Sequence, residues 1–529
     1  MTGDPLREDA AEDRARPRSG ALAVLATAQL VLALDYSIVN VALPSIGGSL
    51  GFSRDAVEWV VSAYALMFGG FLLLGGRSSD LLGRRRVFMA SGTLFALASM
   101  VGGLSTTPAV LLVGRAVQGL AGGFLFPATL SLVTTTFPEG PSRNRAISVW
   151  GAAGAGGLAF GAFLGGVLTT ALGWRWVFFV NVPVLAAVVV AAPLLLSGLR
   201  PPRPRVTDFD VPGAASVTAG AMLVVLALVQ APVFGWASPG TAIPAAVGIL
   251  LLGAFLWIEH RSKDPLMPLE LLRRPTLWGG MVVTAAFMAS FGLQFFFLTL
   301  YLQSLLHETP LIAGMSFLPL ALFVVIGNRV GGRLATRYGA ARLLPAGMSI
   351  AALGLLTYVL LGPRLSLPTL LAGEVIAGFG QGIVFTTAYL VAGSGVEANR
   401  QGVASGMASA AQQLGGSIGL AVLVDLLSAG LGASQASGLV LDGTSVPGLL
   451  HALRWVYAAQ AGIALLGAVA ALVIARRLGR PGEKGRTSVL VAPSEHQPVW
   501  HEPGSDSTPA TAWGGGSPDI RRHAPLELP

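Results

Sequence analysis

The sequence predicts an all-α membrane protein with fourteen transmembrane helices, two parallel six-helix halves with two further helices inserted between them. Three observations carry this. Of 529 residues, 53% are hydrophobic and 11% charged, whereas soluble domains hold about 25% charged residues; the mean hydropathy is +0.69. Fourteen apolar runs follow one another, each near the roughly 20 residues that a spanning helix needs. Finally, the chain repeats itself. The spans have to be helical, because an open sheet edge leaves backbone groups unsatisfied in lipid.

Taken in order, residues 1–20 form a polar, cytoplasmic N-terminal tail. The first run, 21–46, exceeds the ~7–15 residues of a signal-peptide core and reads as an uncleaved span. Runs at 56–76, 87–106, 109–136, 146–171 and 176–197 complete an N-terminal half over 21–197. Residues 198–276 hold the inserted helices, 211–232 and 241–259, with their flanking loops. The C-terminal half, 277–475, contains runs at 277–304, 310–331, 343–362, 367–391, 402–428 and 452–475. The remaining 476–529, rich in Pro, Gly and Ser, is expected to be a disordered cytoplasmic tail.

Arginine and lysine set the orientation. With the N-terminus inside, inward segments carry clusters such as Arg84/Arg85/Arg86, Arg143/Arg145 and Arg261/Lys263/Arg273/Arg274, while outward loops hold only Arg54, Arg175, Arg364 and Arg454. Both ends are therefore expected in the cytoplasm. The net charge of +8 is scattered singly between apolar runs, which argues against a nucleic-acid surface. There is no cysteine, and the six histidines form no ligand-spaced cluster, so no metal or cofactor is implied.

Leu111 to Gly119 reappears as Leu370 to Gly378, Gly76-Arg77 with Gly83 as Gly332-Arg333 with Gly339, and Asn144-Arg145 as Asn399-Arg400. The offsets lie near 255–259. Transporters built from such repeats bind substrate near the midplane and rock between two open states.

The stretch Gly76-Arg77-Ser78-Ser79-Asp80-Leu81-Leu82-Gly83-Arg84-Arg85-Arg86 resembles the signature loop of the major facilitator superfamily. Leu34 to Pro44 resembles the first-span motif of its fourteen-span drug:proton antiporters (the EmrB/QacA type). Trp59 with Tyr64, Arg115 with Gln118 and Gly119, and Trp174 to Pro183 match further motifs of that branch, as do Pro265 to Leu269 and Tyr301-Leu302-Gln303. The resemblance covers roughly residues 20–475 and implies the major facilitator fold. It also implies a cytoplasmic gate at Gly76, Asp80, Gly83, Arg84 and Arg85, read as a short turn after the second span. An antiporter motif falls at Gly157, Gly161, Gly165 and Gly166. Two positions depart from the family pattern: Leu81 stands where a basic residue is usual, and Ala162 where a proline is.

Ionisable groups inside spans are costly and mark functional sites, here Asp35, Arg115 and Glu374. At 1.5 Å per residue, Asp35 lies roughly 13 Å from the outer end of its span, with Arg115 and Glu374 about 10 Å down theirs. These three are the candidate proton-coupling residues, in competition with the duller role of pinning helix packing. In the expected mechanism an approaching cation displaces a proton from Asp35, Arg115 moderates the exchange, and Glu374 offers a second proton. Tyr36, Asn40, Phe291, Gln294, Phe295, Tyr301 and Gln303 are expected to line a broad apolar cavity, where aromatic faces attract lipophilic cations.

The function expected is proton-coupled efflux of lipophilic, cationic drugs or antibiotics across the cytoplasmic membrane, driven by the proton gradient without a cofactor. Alternatives are an exporter dedicated to one endogenous product and an uncoupled facilitator. No nucleophile or metal constellation supports an enzyme. The expected partners are the lipid bilayer, a small molecule and protons, with the protein itself monomeric.

Overall fold

The computed structural model describes residues 5–52, 54–57, 59–196, 210–262, 265, 267, 269–308, 310–364, 366–397, 400–431 and 446–478. Residues 1–480 make one compact unit. The expected C-terminal tail beyond 478 lies outside the described residues, as do most of the loop before the first inserted helix and Asn399 of the third repeat match. All fourteen expected spans are present as long apolar helices, and the described residues contain no strand.

The N-terminal half comprises α1 (Pro5–Leu50), α2 (Arg54–Val57), α3 (Trp59–Leu82), α4 (Arg84–Leu104), α5 (Pro108–Thr136), α6 (Pro141–Ala171), α7 (Trp176–Phe179) and α8 (Asn181–Leu195). The inserted pair is α9 (Val211–Phe234) and α10 (Pro239–Arg261). The C-terminal half comprises α11 (Pro275–Ser290), α12 (Gln294–Thr299), α13 (Pro310–Ser316), α14 (Leu318–Tyr338), α15 (Ala340–Tyr358), α16 (Leu367–Gly393), α17 (Gln401–Leu431) and α18 (Val446–Leu478). Proline opens α5, α6, α9, α10 and α11, where its missing N–H costs nothing and its fixed φ suits the first turn. Asp210 caps α9 by accepting from the Gly213 amide at 2.9 Å.

Two boundaries differ from the sequence reading. Helix α1 starts at Pro5, inside the expected polar tail. The signature stretch is not a loop: α3 runs on through Leu82, and a single residue, Gly83 at φ +96°, makes the turn into α4. The repeat places Gly339, φ +84°, in the same role between α14 and α15. Only glycine adopts such backbone angles without strain.

Packing repeats as the sequence does. In the first half α1 packs on α6, α5 between α3 and α4, and α4 on α8; in the second α11 packs on α17, α16 between α14 and α15, and α15 on α18. One apolar core lies within the second half, and another runs from the first half across to α16 and α17. The halves meet along two seams, α3 against α17 and α6 against α14. The inserted helix α9 lies over the first seam, touching both α3 and α17, and the Trp236 indole beyond it donates to Asp425 of α17. Its partner α10 exposes Ile243, Ile249, Leu250 and Trp257, as expected of a helix that faces lipid.

Candidate functional site: a buried ion pair and a gate

Asp35 is completely buried and accepts three hydrogen bonds from three other residues. Arg115 Nη1 approaches at 2.8 Å, Asn181 Nδ2 at 2.8 Å and Gln118 Nε2 at 3.2 Å. The Arg115 side chain is 1% exposed. Its Nε donates to the Val60 carbonyl at 2.8 Å, and its guanidinium lies 4.3 Å from the centre of the Tyr64 ring. Asn181 reaches Asp35 because the sixth span is interrupted before it, and its amide also donates to Ser99 Oγ at 3.2 Å. Gly119 allows the approach of α5 to α3, since a Cβ there would lie 2.3 Å from the Tyr64 carbonyl oxygen.

The structure thus brings together Asp35 and Arg115, and adds Gln118, Asn181, Ser99 and Tyr64. Gln118, Asn181 and Tyr64 all fall inside motifs legible in the sequence; their convergence on one carboxylate is tertiary information. One expectation changes. With no exposed surface and every partner a donor, Asp35 offers no direct contact to a cation in this conformation.

The neighbours of Asp35 on α1 do face open space. Tyr36 is 37% exposed and Asn40 is exposed. The first half is ordered α6, α1, α5, α3, and the outer two of these are the helices that cross to the other half. Tyr36 and Asn40 lie one turn apart on one exposed face of α1. Phe295 and Gln303 are partly exposed. Phe291, Gln294 and Tyr301, expected to line the cavity, are instead buried within the second half: Gln294 bonds Tyr358 and Gln381, and the Tyr301 hydroxyl donates to the Gly362 carbonyl. The stretch between α11 and α13 departs from regular α-helix, with a 3₁₀ turn at Phe291–Leu293 and a π turn at Leu300–Leu305.

The antiporter-motif glycines fasten α6 to α1. A Cβ on Gly157, Gly161 or Gly165 would stand 2.6, 2.6 or 2.7 Å from the carbonyl oxygens of Leu30, Leu34 and Ile38. Gly166 has no such contact; its nearest neighbour is Val41 Cγ1 at 3.9 Å. With Ala162 in place of proline, α6 runs unbroken over 31 residues.

At the arginine-rich end the halves are closed. Asp80 accepts from the amides of Gly402 and Val403, at 3.1 and 3.0 Å, and from Arg84 Nη2 at 2.7 Å. Those amides belong to the first turn of α17, which has no partners of its own for them and favours an anion. Gly76 touches Gly402 so closely that a Cβ would lie 2.4 Å from its oxygen. Arg84 Nε is fixed on Ser131 Oγ at 2.6 Å, whereas Arg85 points away from the seam and donates to the Leu196 carbonyl at 3.1 Å. The second seam closes more weakly, with Asn144 Nδ2 donating to Thr336 Oγ1 at 2.8 Å. The sequence reading missed Thr336 because it is no acid, although it holds the place of Asp80 in the repeat.

Glu374, the third expected coupling residue, is not near Asp35. It is buried beside Leu320 in the second half, with no ion pair among the described residues. No group of three or more metal-ligating side chains occurs among the described residues.

A family model described as "Major Facilitator Superfamily" matches residues 25–420. The chain is 36% identical over 477 residues to "Puromycin resistance protein pur8" of Streptomyces alboniger, covering 89% of this chain and 94% of that protein. It is 40% identical over 421 residues to "Cephamycin export protein CmcT" of Amycolatopsis lactamdurans, covering 79% and 86%. Among solved structures it resembles the human organic anion transporter MFSD10, with a TM-score of 0.61 at 18% identity, over 86% of this chain and 99% of that one.

Proposed function

The chain belongs to the Major Facilitator Superfamily, a family of membrane transporters rather than enzymes, and on that premise we propose that it expels lipophilic, cationic drugs or antibiotics across the cytoplasmic membrane in exchange for protons. The observation that carries the proton-coupled reading is the buried Asp35–Arg115 pair one residue from exposed Tyr36. In this reading both termini and the arginine-rich end are cytoplasmic, so the closed gate marks an outward-facing state. Protonation of Asp35 requires the Arg115 bond to be given up. That frees α1 to shift against α5 and α8, moving Tyr36 and Asn40 with it. Substrate and proton then compete through the position of α1 instead of by contact at one carboxylate. The protein works as a monomer, without a cofactor.

The names of the relatives also favour a second reading, export of one antibiotic, since one of them is called a cephamycin export protein. Both readings use the same coupling machinery. Everted vesicles with an acid interior, a trapped pH dye and a panel of lipophilic cations and neutral antibiotics separate them. Several cations collapsing the gradient with native protein, but not with Asp35→Asn, is the result expected. One responsive compound selects the dedicated exporter. Compounds that cross without moving protons would identify a facilitator and end the antiport reading.

A further inference from the structure

The second half contains a polar cluster at the position equivalent to the Asp35 site, with an amide in place of the acid and an acid in place of the arginine. Asp35, Ser99 and Arg115 each have a counterpart 259 positions further on: Gln294, Tyr358 and Glu374. Two of these counterparts are joined. Gln294 donates to the Tyr358 hydroxyl at 2.7 Å, and Gln381 donates to Gln294 Oε1 at 2.7 Å. The Tyr358 ring lies against Gly373, the residue before Glu374, where a Cβ would stand 2.4 Å from it, and packs 5.2 Å from the ring of Tyr457. The closeness of α16 to α14 also repeats: a Cβ on Gly378 would lie 2.5 Å from the Leu320 carbonyl, as one on Gly119 would approach Tyr64.

What does not repeat is the counter-ion. Asp35 has Arg115, whereas Glu374 is fully buried and, among the described residues, makes neither an ion pair nor a side-chain hydrogen bond; its carboxylate faces the backbone of Leu320 in the first turn of α14. Helices α14, α15, α11, α6 and α17 pack against α16. Tyr358 of α15 is the titratable group near Glu374. The arginines of α6 belong to its first turn at the arginine-rich end, Arg329 of α14 is exposed, and Asp425 of α17 is held by Trp236. A buried carboxylate with no cation is costly as an anion and cheap as the neutral acid. Among the described residues the Tyr457 hydroxyl likewise has no hydrogen-bond partner, so the cluster has hydrogen-bonding capacity unspent in this conformation.

We propose that Glu374, supported by Gln294, Tyr358 and Tyr457, is a second proton-carrying site, loaded in the outward-facing state and emptied in the other. Each transport cycle then moves two protons against one monovalent cation and responds to membrane potential as well as to the pH gradient. This rests on the exchange proposed above for Asp35, but its first test does not. The infrared spectrum of purified native protein at neutral pH contains a carboxylic-acid C=O band that Glu374→Gln lacks and Asp35→Asn keeps. A native protein without that band, or a Glu374→Gln protein that retains it, overturns the proposal with no ligand needed.

Ethidium, a cation with no proton of its own to lose, supplies the second test. Protons exchanged per ethidium, read with a pH dye in proteoliposomes, fall about twofold in Glu374→Gln, and the transport current disappears. An unchanged ratio overturns the two-proton cycle. A ratio unchanged by Asp35→Asn instead overturns the Asp35 reading and leaves the infrared result standing.

Discussion

At the scale of single residues, the Asp35–Arg115 pair behaves as one unit because both charges are cut off from water. Removing one partner of a buried pair costs about 3–5 kcal/mol, since the other charge stays behind uncompensated. Arg115→Gln is therefore expected to lower the thermal unfolding midpoint in detergent steeply. Asp35→Asn combined with Arg115→Gln should recover much of the loss, because neither charge is then left alone. A double variant as unstable as the sum of the two singles would show that the residues do not act together. The sequence made these residues conspicuous by cost alone, as ionisable groups in apolar runs. It could not show that Asn181 completes the site: its motif is legible, but its meeting with Asp35 is set by helix packing.

At the scale of elements, glycine contacts set how near α6 comes to α1. A methyl group on Gly161 would meet Ser37 Oγ at 2.2 Å and the Leu34 carbonyl at 2.6 Å. Overpacking of that kind costs about 1–3 kcal/mol. Gly161→Ala should lose that stability together with most efflux, measured by thermal unfolding and vesicle transport. Gly166→Ala, in open space, should stay within about 0.5 kcal/mol of native. Equal effects at both positions would remove the α1–α6 contact as the explanation. The four glycines look alike in the sequence. Helical geometry, not composition, decides that three of them face α1 and one does not.

At the scale of the whole molecule, the two seams are latched unequally. On α3 and α17 a carboxylate holds free amides at a helix start; on α6 and α14 an amide side chain holds a hydroxyl. The difference follows from where the helices begin: α17 starts at Gln401, leaving the Gly402 and Val403 amides free, while α6 starts at Pro141, well before the equivalent residues. Hydrogen bonds to charged groups are worth about 1.5–3 kcal/mol, so Asp80→Asn should shift the balance between states by roughly tenfold or more. The chain has no cysteine, so spin labels at Arg86→Cys and Arg333→Cys report on the arginine-rich end without background. Longer distances in the Asp80→Asn protein are the outcome expected. An unchanged distribution would mean that Asp80 does not hold the gate.

The sequence by itself determined the membrane class, the fourteen helices, the repeat and the three costly charges. Each is a local property: a span needs only its own apolar residues, and a charge is conspicuous wherever lipid surrounds it. The tertiary structure decided which charges meet. Asp35, Arg115 and Asn181 are separated by 80 and 146 positions from Asp35 onward, and no helical period links them. It also decided that Glu374 has no ion pair among the described residues, that Gln294 and Tyr301 turn inward, and that Thr336 faces Asn144. Those outcomes depend on the relative rotation of packed helices, fixed by close glycine contacts between distant spans, and hydropathy along one span carries no record of it.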